Sequence, residues 1–221
     1  MIDFQESTKE QLLKNIKNLS SELANKYEIY IDALFSWQQT NNIIGIKSKE
    51  YFIQREINDC LLIKDIIPDG QMIDIGTGGG IPGIIFAISN MTNKYILLER
   101  SQNYLNFLEQ IKIRLDLKNV VLVNEDFYNY KTTKKIDAIV LKNFTNKKIS
   151  HLPYIDKFLF IMKTISKNIG CKIPVFMITG SNSLELLDNS QIKSKYINNI
   201  NIKKINTTFF KTSRYLVESI S

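Results

Sequence analysis

The sequence predicts an α/β fold: a mostly parallel sheet, covered by helices on both faces, with a helical cap formed by the N-terminal segment. Three observations predict it. From about residue 71 onward, short apolar runs of strand length alternate with helical stretches, which is the pattern of a parallel sheet wrapped by crossover helices. A glycine-rich loop follows the first of these strands directly, where open α/β sheets bind their ligands. Ahead of residue 69, apolar residues recur at helical spacing instead.

Taken in order, Phe4 to Leu23 carries Leu12, Leu13, Ile16, Leu19 and Leu23 at helical intervals. Tyr27 to Gln38 is a second helical stretch, with Tyr30, Ile31, Leu34, Phe35 and Trp37 on its apolar face. A third, Lys49 to Ile66, includes Phe52, Ile53, Ile57, Leu61 and Leu62, and Pro68-Asp69-Gly70 ends it in a turn. Gln71–Ile75 then reads as a buried strand, GTGGGIPG as a loop and Ile84–Ile88 as part of a helix. Tyr95–Leu98, Val120–Val123, Ile136–Leu141 and Val175–Thr179 are the further strands, separated by helices at Ser101–Leu115 and Leu159–Lys167. Residues 200–210 and 215–220 read as a closing antiparallel pair. No repeat or low-complexity linker interrupts the chain, so it is expected to form one domain, with residues 1–68 as cap and 69–221 as core.

Composition bounds the function. Apolar residues make up 44% and charged residues 23% of the 221 positions, the balance of a globular protein with a proper core. No apolar run approaches the roughly eighteen residues of a membrane helix, and MIDFQESTKEQLLK lacks the layout of a signal peptide; a cytoplasmic protein away from membranes is expected. Cys60 and Cys171 are isolated thiols and His151 is the single histidine, so neither a disulfide framework nor a metal site is expected. His151 reads as a loop residue ahead of Pro153. The net charge of +7 and pI near 9.2 favour an anionic partner such as nucleic acid. Only Arg55, Arg100, Arg114 and Arg214 among the 29 basic residues are arginine; a lysine-, isoleucine- and asparagine-rich chain of this kind also follows from AT-rich coding, so charge alone decides little.

The informative segment is Met72-Ile73-Asp74-Ile75-Gly76-Thr77-Gly78-Gly79-Gly80-Ile81-Pro82-Gly83. Its glycines permit positive-φ turning and close backbone approach, and the helix that follows points free N–H groups toward a ligand. Gly78, Gly80 and Gly83 satisfy the dinucleotide pattern GxGxxG, a weak match when alone. Asp74, two residues before Gly76, makes the pattern D-x-G-x-G-x-G that methyltransferases use. A carboxylate there suits an ammonium, met directly or through water, and repels a pyrophosphate. Glu99 ends the second strand, 23 residues beyond Gly76, where it can accept both ribose hydroxyls, a feature that NAD enzymes share. The loop therefore favours S-adenosylmethionine, with Asp74, Gly76, Thr77, Gly78, Gly80 and Glu99 as cofactor residues.

These motifs resemble the RsmG/GidB family of bacterial 16S rRNA (guanine-N7) methyltransferases, over about Ile31 to Val217. The most specific part is DIGTGGGIPGIIFAI at 74–88, similar to the family's D-x-G-T-G-x-G-x-P-G-I-P-x-[AS]-I. Leu34-Phe35-Ser36-Trp37, Asn41-Asn42-Ile43, REINDC at 55–60, Leu97–Ser101 with Phe107-Leu108, and Ser213-Arg214-Tyr215 resemble further family segments. The resemblance implies a Rossmann-like class I methyltransferase sheet with an N-terminal helical cap. It implies S-adenosylmethionine contacts at Gly76, Ile81, Phe127, Tyr128 and Lys142, and 16S rRNA of the small ribosomal subunit as substrate. The chain departs from the family at Glu56 (usually histidine), Ile44 (threonine), Leu141-Lys142-Asn143 (Ser-Arg-Ala), Asp126 (a basic residue) and Ile178-Thr179-Gly180 (Leu-Lys-Gly). The cofactor half is well preserved and the substrate half is eroded.

Guanine N7 carries a free lone pair and no proton, so methyl transfer to it needs alignment and no general base. Lys142 is the leading candidate for substrate positioning, followed by Arg214 and then by Arg55 and Asn42. Lys47, Lys49, Lys147, Lys148, Lys203, Lys204 and Lys211 are candidate phosphate contacts. A monomer is expected because no exposed apolar stripe is left over. Three alternatives stay open: an RNA-binding relative with little methyl transfer, a methyltransferase for a small molecule or protein, and an NAD-dependent oxidoreductase.

Overall fold

A computed structural model describes residues 6–41, 45–46, 48–144, 147–186, 200–205 and 213–221. Helix α1 spans Thr8–Asn15 and α2 spans Ser21–Asn41. The first expected helix is thus shorter at both ends. Ser7 and Glu10 form a reciprocal capping box at its start, and the left-handed Asn18 (φ 58°) turns the chain after it. The Ser20 hydroxyl then accepts from the Leu23 N–H at 3.2 Å, and α2 begins six residues ahead of the expected start at Tyr27. The third stretch is continuous but not uniform: α3 (Lys49–Phe52), a π-helical segment (Ile53–Ile57), α4 (Asn58–Ile63) and a 3₁₀ turn (Lys64–Ile66) follow one another.

The core alternates as its periodicity predicts. It runs β1 (Gln71–Ile75), α5 (Gly83–Ser89), β2 (Lys94–Glu99), α6 (Gln102–Arg114), β3 (Val120–Asn124), β4 (Ala138–Lys142), α7 (Tyr154–Asn168) and β5 (Pro174–Thr179). β6 (Ile200–Ile205) and β7 (Arg214–Ile220) close it. The seven strands lie in the order β3-β2-β1-β4-β5-β7-β6. β1 to β5 are parallel, and β7 inserts antiparallel between β5 and β6. The antiparallel pairing of β6 with β7 matches the expected closing pair, whose residues 206–210 lie outside the described residues, whereas the insertion of β7 beside β5 is a long-range feature that no local pattern announces. Helix α7 begins five residues earlier than its periodicity suggested, directly after Pro153, a residue suited to helix entry.

Because side chains alternate along a strand, parity assigns them to faces. Met72, Leu97, Val120, Val140, Phe176 and Leu216 pack with α1, α2, the Phe52–Ile67 stretch, α5 and α6 in one apolar core. Ile73, Ile75, Leu98, Ile139, Leu141, Val175 and Val217 pack with Phe158, Ile161, Met162 and Ile165 of α7 in another. Both faces are therefore buried, as a parallel sheet requires. The N-terminal helices share the first face with α5 and α6. No helix of the described residues is long and apolar enough to cross a membrane.

Candidate functional site

Where β1 ends, the chain enters three left-handed glycines, Gly76 (φ 68°), Gly78 (φ 54°) and Gly80 (φ 94°). Two of them are demanded by packing. A Cβ on Gly76 would come within 2.5 Å of the Phe144 ring, and one on Gly80 within 2.5 Å of Ile84 Cγ1. Gly78 is open: nothing but the Gly76 carbonyl oxygen at 4.0 Å would face its Cβ, which leaves its backbone free for close approach by a ligand. The cap braces this loop and the helix that follows it. Buried Tyr30 donates its hydroxyl to the Gly79 carbonyl at 2.8 Å, and buried Tyr27 donates to the Ile85 carbonyl at 3.0 Å.

Asp74 is the loop's internal strut. Its Oδ2 accepts from the Thr77 hydroxyl at 2.6 Å and from the Gly83 N–H, at the first residue of α5, at 2.8 Å. The side chain is buried, and burial pushes its carboxyl up to about 7 against the pull of these two hydrogen bonds, with the Glu99 charge adding to the rise. Its Oδ1 is buried without a hydrogen-bond partner among the described residues.

Beside the loop lies a cavity of about 290 Å³ at the carboxyl ends of β1, β2 and β4. Gly76, Gly78, Glu99, Arg100, Ser101, Tyr104, Glu125, Asp126, Phe127, Lys142, Asn143 and Phe144 line it, with Leu98 at its back. Glu99 is fixed by two backbone donors, the Gly78 N–H at 3.1 Å to Oε2 and the Ser101 N–H at 2.8 Å to Oε1. Each oxygen keeps a lone pair toward further donors. The Phe127 and Phe144 rings meet edge-to-face at 5.5 Å and form an apolar wall. Asp126 accepts from the Tyr128 N–H at 3.0 Å and stands 3.6 Å from Arg100.

A second polar cluster lies under the cap. Strand parity turns Lys142, like Ala138 and Val140, toward the cap face, and turns Arg214 the same way as Leu216. There the Lys142 ammonium pairs with Glu56 of the π-helical segment and lies 3.8 Å from Asp59 of α4. The Arg214 Nε reaches Asp59 at 3.3 Å, and the Arg55 Nε lies 3.3 Å from Glu56. The Lys142 side chain is only 2% exposed and that of Asp59 fully buried. Burial raises the Asp59 carboxyl, while the Lys142 and Arg214 charges oppose the rise.

The predicted residues therefore separate. Gly76, Gly78, Glu99, Phe127 and Lys142 stand on the cavity wall. Asp74, Thr77 and Gly80 build the loop behind it, and Ile81 packs on the cap-side core. Tyr128 is one ring removed, 5.5 Å from Phe127. Lys142, Arg214 and Arg55 come together as partners of buried carboxylates. Lys142 presents its main chain to the cavity, since its side chain is covered. Asn42 lies outside the described residues, as do Lys47 and Lys211. Tyr104, Asn143 and Phe144 also line the cavity, though no sequence motif marks them. Tyr104 sits on the first turn after β2, and the other two directly follow Lys142, so proximity to strand ends was the available signal.

The arrangement fits S-adenosylmethionine: an acceptor pair at the end of β2, an apolar wall for a base, an open glycine backbone, and one unpartnered carboxylate oxygen behind the loop. Residues 23–161 match the family described as rRNA small subunit methyltransferase G, GidB. Ribosomal RNA small subunit methyltransferase G of Borreliella burgdorferi is 29% identical over 188 residues, 82% of this chain and 83% of that protein. Its Nitrosomonas eutropha namesake is 26% identical over 157 residues, 71% and 68% of the two chains. That of Acinetobacter baylyi is 32% identical over 132 residues, 58% and 62%. Among solved structures, the human methyltransferase 10 domain containing protein superposes with a TM-score of 0.58 at 13% identity, covering 86% of this chain and 97% of that one. A SAM-dependent methyltransferase from Aquifex aeolicus gives 0.54 at 13% identity, covering 77% and 93%; both show the fold. With the family match spanning well over half of the sequence, this chain belongs to the rRNA small subunit methyltransferase G family.

Proposed function

We propose that the protein transfers a methyl group from S-adenosylmethionine to N7 of a guanine in 16S rRNA of the small ribosomal subunit. The observation that carries this reading is the cavity at the carboxyl ends of β1, β2 and β4, walled by Gly78, Glu99 and Phe127, in a chain of this family. When bound, the cofactor supplies an electrophilic methyl on a sulfonium centre. Glu99 would accept the ribose hydroxyls on the lone pairs left free by Gly78 and Ser101. Phe127 and Phe144 would flank the adenine, and the backbone of residues 76–78 would approach the methionine portion. Asp74 acts from behind the loop, where Oδ2 fixes its curvature and Oδ1 remains an acceptor for a water or an ammonium.

N7 brings its own lone pair, so these residues have no proton to remove; their work is to orient the reactants and to exclude water. Lys142 and Arg214 act as positioning residues in this reading. Held by Glu56 and Asp59, they fix the ends of β4 and β7 against the cap, so Lys142 places its own main chain and the following Asn143 and Phe144. We place residues 1–68 as a cap on the 69–221 core within one domain, acting as a monomer in the cytoplasm without a metal.

The test is incubation of purified protein with methyl-tritiated S-adenosylmethionine and small subunits lacking N7 modification, with aniline cleavage to map the label. A single N7-methylguanine in 16S rRNA is expected. Label elsewhere keeps the reaction class and rejects the nucleotide. Tight particle binding without label identifies an RNA-binding relative that transfers little.

A further inference from the structure

We infer that the outer face of α7, together with the turn before it, is an RNA-docking surface that stacks a base beside the target and holds its flanking phosphates. This rests on the reading of the chain as an rRNA methyltransferase and names where on the molecule the RNA runs. An aromatic track leads outward from the cofactor cavity. Phe144 and Phe127 line the cavity, Phe127 meets Tyr128 at 5.5 Å, and Tyr128 meets Phe160 edge-to-face at 5.4 Å. Phe160 ends the track at the surface, 38% exposed. Lys148 lies over the Tyr128 ring, its ammonium 4.4 Å from the centroid.

Glu125 and Asp126 stand at the inner end of the track, and the charge around its outer end is mostly positive. Between residues 147 and 167 the chain carries Lys147, Lys148, Lys157, Lys163 and Lys167 against the single acid Asp156. Lys157 and Lys163 stand three residues to either side of Phe160 and so flank it on one helix face. The inward face of α7 is a different surface: Phe158, Ile161, Met162 and Ile165 are buried against the sheet. An exposed ring with cations a turn above and below matches an unstacked nucleotide, whose base has a π-face and whose neighbouring phosphates are anionic. In a chain of an rRNA methyltransferase family RNA is the occupant this ring and its cations favour, and the α6 side, with Lys118 paired to Asp116, shows no exposed ring among the described residues.

The test measures methyl transfer and equilibrium binding to small subunits for Phe160→Ala and for the pair Lys157→Ser/Lys163→Ser. Lys112→Ser/Lys118→Ser, on the opposite sheet face, is the control. Phe160→Ala should raise KM for the particle about tenfold with kcat and affinity for S-adenosylhomocysteine unchanged. The lysine pair should reduce the salt dependence of binding by a log–log slope of roughly 1–2. Wild-type KM and slope in both variants, or equal losses in the control pair, would overturn the surface. Wild-type protein that binds particles yet labels nothing would sink the methyltransferase reading instead, and the binding data would still decide the surface. Unchanged melting temperatures exclude misfolding as the cause.

Discussion

Two polar centres sit on the same face of the sheet and are built in opposite ways. The glycine loop closes around Asp74 with donors from Thr77 and Gly83, all within nine residues of chain. The cluster under the cap joins Arg55, Glu56 and Asp59 to Lys142 and to Arg214, which lies 155 positions from Asp59. The first holds one carboxylate with neutral partners. The second holds carboxylates with cations and ties three distant parts of the chain together. A local centre can be preserved while its surroundings drift; a distributed one can persist only if its members change together. Glu56 and Lys142, both departures from the family's usual residues, are partners in the structure.

The strongest way to break this contrast is Lys142→Met. It leaves the Glu56 and Asp59 carboxylates buried with the arginines alone, which should cost about 3–5 kcal/mol in urea unfolding. Lys142→Met/Glu56→Leu removes both partners and should cost clearly less than the single substitution. Equal costs for single and double variants would show that the two residues do not act as a pair. Next comes Gly80→Ala, which places a Cβ 2.5 Å from Ile84 in a left-handed backbone and should cost roughly 2–4 kcal/mol. S-adenosylhomocysteine titration should show a parallel loss of affinity, because the loop moves.

The difference between the centres also explains what could be read in advance. The strands, the loop and Glu99 were legible because periodicity and glycine spacing are local signals. Lys142 and Arg214 stand out in the sequence by position, and their ion-pair partners were not legible. A lysine two residues beyond Val140 on one strand must share its face, but only the tertiary structure shows that this face is covered by Glu56 and Asp59. The insertion of β7 was hidden because it is a long-range pairing, whereas the break at Asn18 was open to a closer reading, since Ser7, Glu10 and Ser20 are local cap signals that the apolar spacing overshadows.

A third prediction separates the centres by pH. Burial holds the Asp74 carboxyl up to about 7 in the folded chain, above its ordinary 3.8. The folded state therefore binds more protons than the unfolded one between these values. Stability from this group is present at low pH and is lost as pH rises toward 7, by about 2 kcal/mol between pH 5 and pH 7. Asp74→Asn keeps an oxygen for Thr77 and Gly83 and should flatten this part of the stability profile relative to wild type. If the variant retains the wild-type slope, Asp74 is ionised throughout, and the loop is a charged centre like its neighbour.

The smallest effect tests whether the cap reaches the cofactor loop. Tyr30 and Tyr27 are fully buried; the first holds the loop at Gly79 and the second holds α5 at Ile85. Tyr30→Phe removes the donor to the Gly79 carbonyl without changing the ring, which still packs on Phe52 and Phe107. One neutral hydrogen bond lost should lower stability by about 1 kcal/mol. Tyr27→Phe deletes an equivalent bond to Ile85 inside α5, away from the glycines, and should cost a similar amount. The informative quantity is therefore the difference between them in S-adenosylhomocysteine affinity. Weaker binding in Tyr30→Phe alone would show that α2 sets the curvature of residues 76–80. Equal affinities would mean that the loop keeps its curvature without the Tyr30 hydroxyl, with Asp74 as its internal strut, making the local centre self-sufficient.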